Sequence, residues 1–335
     1  MAYLNRSAEK RCDPARVLDG ARTIVSVAQS YFTGRLPEPV RNDPSRGLIA
    51  SYAWGQDYHD VLLGKLKELA EFISTLQPQV TGHPFALTYV DSGPILERDH
   101  AEHAGLGFYG KNTMLIAPKM GSTFFLGEIL TTLEIPPSPV AGMPSCGSCT
   151  RCLDVCPTHA LPTSYVLDST LCISYLTIEY KGIIPRELRA QMGNHVFGCD
   201  DCQDCCPWNQ RFSQQTQEDA YRAVLDRQAP LLADLARLSE EEFRQKFAGS
   251  PVLRPGYAGF LRNVAVALGN WGTREALAAL EPLLVDPNSL VRIHAAWAAG
   301  QVSHGTARFR LMRMAAMETE ADVQAEIHAS LNPHI

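Results

Sequence analysis

Hydrophobic positions in the first part of the chain predict a mixture of strands and helices. Thr23–Tyr31 is an apolar run of strand length, so we expect a buried strand there. Tyr58–Leu76 is expected to be a helix, because its large apolar residues recur at spacings of three and four: Leu62, Leu66, Leu69, Ile73 and Leu76. Pro78 lies just beyond the expected end of this helix.

The following segment predicts a strand, a turn and a short helix. Phe85–Val90 is the expected strand, and Asp91-Ser-Gly-Pro94 supplies the turn. Ile95–Ala104 is the expected helix, which ends at Gly105.

Two more apolar runs complete the N-terminal region. Thr113–Ala117 and Thr123–Thr132 are predicted to pair as a hairpin around Pro118–Gly121. Ile135–Pro144 holds four prolines and is expected to be a linker. The pattern therefore predicts an α+β fold class, with a first domain over residues 1–138.

The last third of the chain has a helical pattern rich in Ala and Leu. Asn263–Gly269 (NVAVALG) resembles His294–Gly300 (HAAWAAG) at an offset of 31 residues, and the loop Val285–Asn288 separates two helices. This weak repeat favours HEAT-like helix pairs over residues 216–335, which would offer an extended surface to a large partner. A plain helical cap on the preceding domain is the alternative.

Composition narrows the class of protein. No apolar run is long enough to span a membrane, and Met1–Arg16 is polar with no signal-peptide core, so we expect a cytoplasmic protein without a membrane partner. We also expect a monomer. The net charge of −6 does not favour nucleic-acid binding through the whole surface, although it leaves room for a local basic patch. A chain of 335 residues is long enough for two or three structural units.

The cysteines carry the clearest chemical signal. The chain has 10 cysteines, and all but Cys12 lie between Cys146 and Cys206. Cys146, Cys149, Cys152 and Cys156 follow C-x2-C-x2-C-x3-C, with Pro157 next, which is the bacterial-ferredoxin run for [4Fe–4S] clusters. A zinc ribbon is the weaker alternative, because it normally has two separated C-x2-C pairs.

A second group repeats most of this run and ends at Pro207. In ferredoxins the last cysteine of each run binds the other cluster. Cluster one is therefore predicted to take Cys146, Cys149, Cys152 and Cys206. Cluster two is predicted to take Cys156, Cys172, Cys199 and Cys202, because Cys172 is the only cysteine of this region outside the two groups and can replace the missing first ligand.

These assignments place a two-cluster ferredoxin-like domain at residues 139–215. Cys205 is left over as a small buried residue, with a substitute ligand for Cys206 as the alternative. Two adjacent clusters conduct single electrons and need an acceptor.

The string Gly105–Gly110 matches G-x-G-x-x-G but follows a helix, so it does not predict a dinucleotide site. Asp91, at the end of a strand, is a candidate acid or a turn-forming residue.

Several strings outside the ferredoxin run are shared with one family. They are Trp54–His59 (WGQDYH), Tyr89–Arg98 (YVDSGPILER), Ala104–Thr113 (AGLGFYGKNT), Gly121–Glu128 (GSTFFLGE), Cys172–Glu179 (CISYLTIE) and Phe197–Gln203 (FGCDDCQ). Through them nearly the whole chain resembles epoxyqueuosine reductase, the iron–sulfur and cobalamin enzyme of tRNA modification, which is related to reductive dehalogenases.

The resemblance implies a site and cofactors. The N-terminal domain would bind cobalamin, and Asp91 would be the general acid, with a pKa raised by burial. Residues that would contact or lie near the corrin are Arg11, Asp57, Tyr58, His59, Ser174, Asp200 and Asp201. The implied reaction converts epoxyqueuosine to queuosine and water at the wobble base of tRNA, with two electrons from an external low-potential donor.

Two departures from the family accompany this resemblance. Family members begin earlier, so we expect a misassigned start, a trimmed chain or a lost segment. Cys205 stands where the family usually has an aliphatic residue.

Candidate phosphate contacts are Lys181, Arg186, Arg189, Arg211, Arg254 and Arg262. Alternative functions are a reductive dehalogenase, an electron-transfer module and a zinc-dependent tRNA-binding protein.

Overall fold

The computed structural model describes residues 7–76, 86–139, 142–302 and 305–332. Its strands are β1 Thr23–Ser30, β2 Leu48–Ile49, β3 Ala86–Tyr89, β4 Phe108–Tyr109, β5 Leu115–Ile116, β6 Phe124–Thr131 and β7 His195–Phe197. Helices of the first half are α1 Ala8–Cys12, α2 Glu38–Arg41, α3 Tyr58–Thr75, α4 Glu97–His103, α5 Arg151–Val155 and α6 Ile173–Ile178. The following helices are α7 Arg186–Arg189, α8 Asp201–Asp204, α9 Pro207–Phe212, α10 Leu232–Leu235, α11 Glu240–Lys246, α12 Gly256–Trp271, α13 Arg274–Leu284, α14 Ser289–Gln301, α15 Gly305–Met317 and α16 Ala321–Leu331.

The N-terminal region contains a three-stranded antiparallel sheet in the order β1-β6-β3. Helix α3 covers one face, where Ile129 and Phe125 meet Leu62 and Leu66. The other face carries Leu130, which packs with Ile95 just before α4. The central strand β6 is therefore the buried strand of this layer.

Three details of the N-terminal prediction are wrong. Strand β1, expected to be buried, is half-buried along its length because it lies at the sheet edge. Leu76, expected on the apolar stripe, lies beyond the end of α3 and is 57% exposed. The hairpin is also absent, since β5 pairs with β4, whereas β6 pairs on both edges with β1 and β3. Only an isolated bridge joins Ala117 to Gly121.

The cysteine loops connect the sheet layer to the helical tail. Strands β2 and β7 form a parallel pair that joins the N-terminal region to the second group of cysteines. One hydrophobic core then continues from Ile49 and Trp54 through Phe197 into the C-terminal helices. The part of the chain that the structure describes has no helix long and apolar enough to cross a membrane.

Helices α12 and α14 carry the repeated sequence and pack against each other. Helix α12 also contacts the cluster region, because the Asn263 side-chain amide donates to the carbonyl oxygens of Thr177 (2.8 Å) and Val196 (2.9 Å). The tail is therefore both a stack of helix pairs and a cap on the cysteine region, so the two sequence-based alternatives are compatible.

Candidate active site and cluster ligands

A wide cleft of about 480 Å³ lies between the sheet layer and the cysteine loops. This volume falls in the range of roughly 300–1,000 Å³ that is typical of ligand sites. Its walls include aromatic side chains from distant parts of the sequence: Tyr31, Tyr52, Tyr58, Phe124, Phe125 and Tyr175. Asp91 and the thiol-bearing residues Cys156, Cys172, Cys199 and Cys202 line the same cleft. The candidate acid and the candidate ligands of one cluster therefore share one cavity.

Asp91 lies on a strained loop directly after β3. Its φ of 57° is in the left-handed region, which is unusual for a residue other than glycine and is often found at functional sites. The Asp91 backbone N–H donates to Glu97 Oε1 (2.6 Å), and Tyr58 donates its hydroxyl to Asp91 Oδ2 (3.0 Å). The side chain stays 55% exposed because it opens into the cleft. Glu97 and Tyr58 thus hold the loop in place, while the Asp91 carboxylate remains accessible from the cleft.

His59 connects two carboxylates at the start of α3. Its Nδ1 lies 2.7 Å from Asp57 Oδ1, and its Nε2 lies 3.6 Å from Asp91 Oδ2. Asp57 also caps the helix, since its side chain accepts the His59 backbone N–H. Tyr58, between them, stacks on Phe125 at 4.1 Å with an interplanar angle of 6°. Helix capping and ring stacking therefore orient the groups that contact Asp91.

The expected rise in the pKa of Asp91 is not observed. The His59 imidazole, with Nε2 3.6 Å from Asp91 Oδ2, lowers the pKa of the Asp91 carboxyl, and this outweighs the effect of burial. Burial opposes protonation of His59, but its contacts with the Asp57 and Asp91 carboxylates raise the pKa of the imidazole to about 9. At neutral pH the pair is an imidazolium beside a carboxylate, so the proton is held on His59.

Two glutamates behind the Asp91 loop have raised pKa values. Burial and the negative charge of Asp91 raise the pKa of Glu97 to about 7. Burial and the charge of Glu97 raise the pKa of Glu128 to about 8, although a hydrogen bond from Ser26 opposes this. Neither glutamate is predicted from the sequence, because the two belong to different elements, α4 and β6.

The cysteines predicted for cluster one lie together. Cys206 is buried and packs with Cys146. Burial raises the pKa of the Cys152 thiol to about 11, with further contributions from the thiolates of Cys146 and Cys206. Burial and the Cys146 and Cys149 thiolates likewise raise the pKa of Cys206. Such mutual repulsion between thiolates would be relieved by a bound iron–sulfur cluster.

The cysteines predicted for cluster two form a separate group. Burial and the Cys156 thiolate raise the pKa of Cys172. Burial, followed by the thiolates of Cys199 and Cys172, raises the pKa of Cys202. The structure thus brings each predicted set of four together, and the set that includes Cys172 lines the cleft.

Cys205 lies beside the first set. Burial, then the thiolates of Cys152 and Cys206, raises the pKa of Cys205 to about 12. Its backbone (φ −75°, ψ −12°) is helical, whereas Cys206 is extended (φ −69°, ψ 122°) and resembles Cys156 (φ −63°, ψ 111°). Pro follows Cys206 and Cys156 but not Cys205. Backbone geometry therefore favours Cys206 as the counterpart of Cys156.

The other predicted cofactor contacts are only partly gathered at the cleft. Ser174, Asp200 and Asp201 line it. Asp200 Oδ2 accepts the Ser51 backbone N–H (2.6 Å), and Asp201 pairs with Arg41 (2.6 Å). Arg11 is not among the cleft-lining residues, and its guanidinium donates to the Ile95 carbonyl oxygen (3.1 Å). Asp57 likewise acts through His59 and does not line the cleft.

Two of the candidate phosphate contacts are buried in the structure. Arg189 is 1% exposed and pairs with Glu326, and Arg262 is 0% exposed. Both arginines hold elements of the tail in place and are too buried to contact phosphate, so this part of the prediction is wrong. Arg254, by contrast, lines the cleft and pairs with Glu179 at 2.5 Å.

Family models match three separate parts of the chain. A 4Fe–4S double cluster binding domain matches residues 145–209, and HEAT repeats match residues 258–332. The model of epoxyqueuosine reductase QueG, DUF1730, matches residues 11–92. Fold and site together define an iron–sulfur oxidoreductase with a HEAT-repeat tail, and the sequence-based prediction of HEAT-like helix pairs is confirmed.

Relatives that are similar over most of the chain give the family. The chain is 44% identical over 302 residues to epoxyqueuosine reductase of Pseudomonas aeruginosa, covering 89% of this chain and 82% of the relative. It is 40% identical over 303 residues to that of Escherichia coli, covering 90% and 78%. The chain belongs to the epoxyqueuosine reductase family.

Solved structures agree with this assignment. An epoxyqueuosine reductase with an epoxyqueuosine-modified tRNA-Tyr stem loop superposes with a TM-score of 0.88 and 33% identity, covering 97% of this chain and 85% of that one. A Bacillus subtilis epoxyqueuosine reductase, with its catalytic aspartate loop swung out of the active site, gives a TM-score of 0.86 at 33% identity, with the same coverage.

Proposed function

We propose that this enzyme reduces epoxyqueuosine to queuosine at the wobble base of tRNA, with cobalamin in the cleft and electrons from two [4Fe–4S] clusters. The observation that carries the proposal is the shared cavity, which is lined by Asp91 and by Cys156, Cys172, Cys199 and Cys202. A cluster held there would lie next to any cofactor and substrate bound in the cleft. The modified tRNA stem loop bound by a relative supports the choice of substrate.

The cluster ligands follow from the two groups of thiols. Cluster one would be held by Cys146, Cys149, Cys152 and Cys206, and cluster two by Cys156, Cys172, Cys199 and Cys202. The second set lines the cleft and would deliver electrons there, while the first would receive them from an external low-potential donor. Each cluster carries one electron at a time, so two are consumed per epoxide.

The lining of the cleft fits a large, flat, partly polar cofactor. Tyr31, Tyr52 and Tyr58 offer ring surfaces, and Ser174 and Asp200 offer polar groups, which suits cobalamin. When bound, cobalamin would supply the reducing electron pair to the epoxide carbon. The contribution of the protein is to place that carbon beside Asp91 and to exclude water from the cleft.

Asp91 would protonate the epoxide oxygen as its C–O bond breaks. Because the pKa of Asp91 is lowered, the carboxyl must be loaded before it acts, and His59 Nε2, 3.6 Å away, holds the nearest proton. Tyr58 keeps the carboxylate in place through its hydroxyl, 3.0 Å from Asp91 Oδ2. The catalytic aspartate loop described for the Bacillus subtilis relative supports a catalytic role for the Asp91 loop.

The test is anaerobic conversion of tRNA from an epoxyqueuosine-accumulating strain, followed by nucleoside mass spectrometry. The wild-type protein with cobalamin and a strong reductant should form queuosine, and omission of cobalamin should abolish the reaction. Asp91→Asn should bind both clusters and cobalamin yet lose about 10²–10⁴-fold in rate. Asp60→Asn is the matched control, because this exposed residue lies in the first turn of α3.

Each result has a defined meaning. Conversion that continues without cobalamin would refute the cofactor assignment. Normal turnover by the Asp91→Asn variant would exclude Asp91 as the acid. An inactive wild-type protein with both clusters and cobalamin bound would refute the substrate assignment. A small epoxide or an organohalide would then be the substrate to test.

A further inference from the structure

The proposed reaction consumes more protons than Asp91 can carry. The epoxide oxygen leaves as water, so each turnover takes up two electrons and two protons. At neutral pH the Asp91–His59 pair holds one proton, on His59, so the second proton must come from another group. If both protons pass through Asp91, it must be reloaded within one turnover, at a time when substrate closes the cleft to bulk water.

Glu97 contacts the backbone of Asp91. Its Oε1 accepts the Asp91 backbone N–H at 2.6 Å, so a second carboxyl group lies next to the residue that must be reprotonated. Glu97 begins α4, is half-buried and is not among the residues that line the cleft. Glu97 therefore contacts the Asp91 loop without occupying the cleft.

Glu128, on the central strand of the sheet, also has no role in the proposed mechanism. It is 0% exposed on the central strand β6, between Ser26 and Tyr89 on the neighbouring strands. Its Oε2 accepts the Ser26 hydroxyl (2.7 Å), whereas its Oε1 is buried and has no hydrogen-bond partner among the described residues. A buried carboxyl oxygen without a donor favours the protonated, neutral acid.

We propose that Glu97, backed by Glu128, stores the second proton and reloads Asp91 during turnover. This inference rests on the proposed function. In the step, the O–H bond on the Glu97 carboxyl breaks and an O–H bond forms on the Asp91 carboxylate, directly or through one water. Glu97 becomes a carboxylate and regains its proton from Glu128 or from solvent after the product leaves, with no change in oxidation state.

Groups from several elements determine the charge on Glu97. Asp91 and His59 face it from the loop and from α3, Arg11 from α1, and Glu128 from β6. Asp91 favours the neutral acid, whereas His59 and Arg11 favour the carboxylate. With the pKa of Glu97 raised to about 7, its carboxyl group is protonated below neutral pH and loses its proton as the pH rises through 7.

The experiment measures kcat against pH for wild-type holoenzyme and for Glu97→Gln, in the tRNA conversion assay. The Gln Oε1 can still accept the Asp91 N–H, so the loop keeps its contact but position 97 cannot hold a transferable proton. We expect kcat to fall about tenfold at pH 6, KM and the cluster and cobalamin spectra to stay unchanged, and the decline of wild-type kcat near pH 7 to disappear. Glu102→Gln, on the same helix, is the matched control.

A second variant tests whether the two glutamates act in series. Glu128→Gln should lower kcat several-fold, and the double variant should be no slower than Glu97→Gln alone, because residues on one proton path are not additive. Additive effects would refute the shared path.

The remaining outcomes separate the two proposals. If kcat of the Glu97→Gln variant still declines near pH 7, with or without a lower rate, then Glu97 has only a structural role in holding the loop. A wild-type enzyme that is active with an unchanged Glu97→Gln profile would overturn this inference alone. An inactive wild-type enzyme would overturn the proposed function and this inference with it.

Discussion

Replacement of the buried Arg262 by Met should weaken the attachment of the HEAT-repeat tail to the cluster region. The guanidinium of Arg262, on α12, donates to the backbone carbonyl oxygens of Leu176 (2.7 Å), Tyr180 (2.8 Å) and Gly182 (3.0 Å). Those carbonyls lie at the end of α6 and in the loop after it, and α6 directly follows Cys172. The arginine therefore satisfies the end of the helix that positions a predicted cluster ligand.

The magnitude follows from the groups left without a donor. Met fills a similar volume but cannot donate, so the buried Leu176 carbonyl and the half-buried Tyr180 and Gly182 carbonyls lose their partner. The cost is about 1–3 kcal/mol for the buried carbonyl and less for each of the other two. Relief of the buried charge offsets part of this loss. No carboxylate pairs with Arg262 in the described part of the chain, and burial lowers the pKa of its guanidinium to about 10. We expect the free energy of unfolding to fall by about 3 kcal/mol, a large share of the roughly 5–15 kcal/mol typical of a domain.

The assay is thermal and denaturant unfolding of the anaerobic holoenzyme, followed by circular dichroism and by cluster absorbance. A loss of about 3 kcal/mol should lower Tm by roughly 5–10 °C. Arg274→Met, at an exposed position on the adjacent helix α13, is the control and should change stability by less than about 0.5 kcal/mol. Cluster absorbance should be lost together with the helical signal, because one core joins the two regions.

Two outcomes would refute this reasoning. An Arg262→Met variant with wild-type Tm would show that the three carbonyls find other partners at no cost. A variant with wild-type Tm and weaker tRNA binding would restore Arg262 as a phosphate contact, contrary to its complete burial.

Two further predictions concern the cysteines and the buried glutamate. Cys205→Ser should retain both clusters by iron content and electron paramagnetic resonance, whereas Cys206→Ser should lose cluster one, and the reverse result would make Cys205 the ligand. Glu128 has its pKa raised from 4.5 to about 8, so its contribution to stability is fully present below pH 4.5 and is lost as the pH rises through 8. Glu128→Gln should therefore gain about 2–4 kcal/mol relative to wild type between pH 5 and pH 8 in urea unfolding, and parallel curves would contradict a neutral Glu128.

Local features of the sequence predicted much of the architecture. Strand β1, helix α3 and the repeated helices α12 and α14 follow from apolar spacing, which acts over neighbouring residues. The strand pairing did not follow, because β6 is matched to β1 and β3 by packing on both sheet faces, and a short turn near Pro118 gives no information about those partners.

The burial of two basic residues also depends on the tertiary structure and not on the local sequence. Arg189 and Arg262 look like surface charges in the sequence, yet both are buried against carbonyl or carboxylate groups that lie far away along the chain. Only the docking of the tail onto the cluster region makes their burial favourable, since it supplies the acceptors that a buried guanidinium requires.

The sequence by itself determined the cluster chemistry, because cysteine spacing and the following proline decide which thiols one loop can present to a cluster. It also indicated Asp91, through the strings shared with one family. Only the tertiary structure decided the protonation of the site. The pKa of Asp91 is lowered by His59, and those of Glu97 and Glu128 are raised by burial and by neighbouring carboxylates. Such shifts depend on distances between groups on α3, α4 and β6, and those distances exist only once the chain is folded.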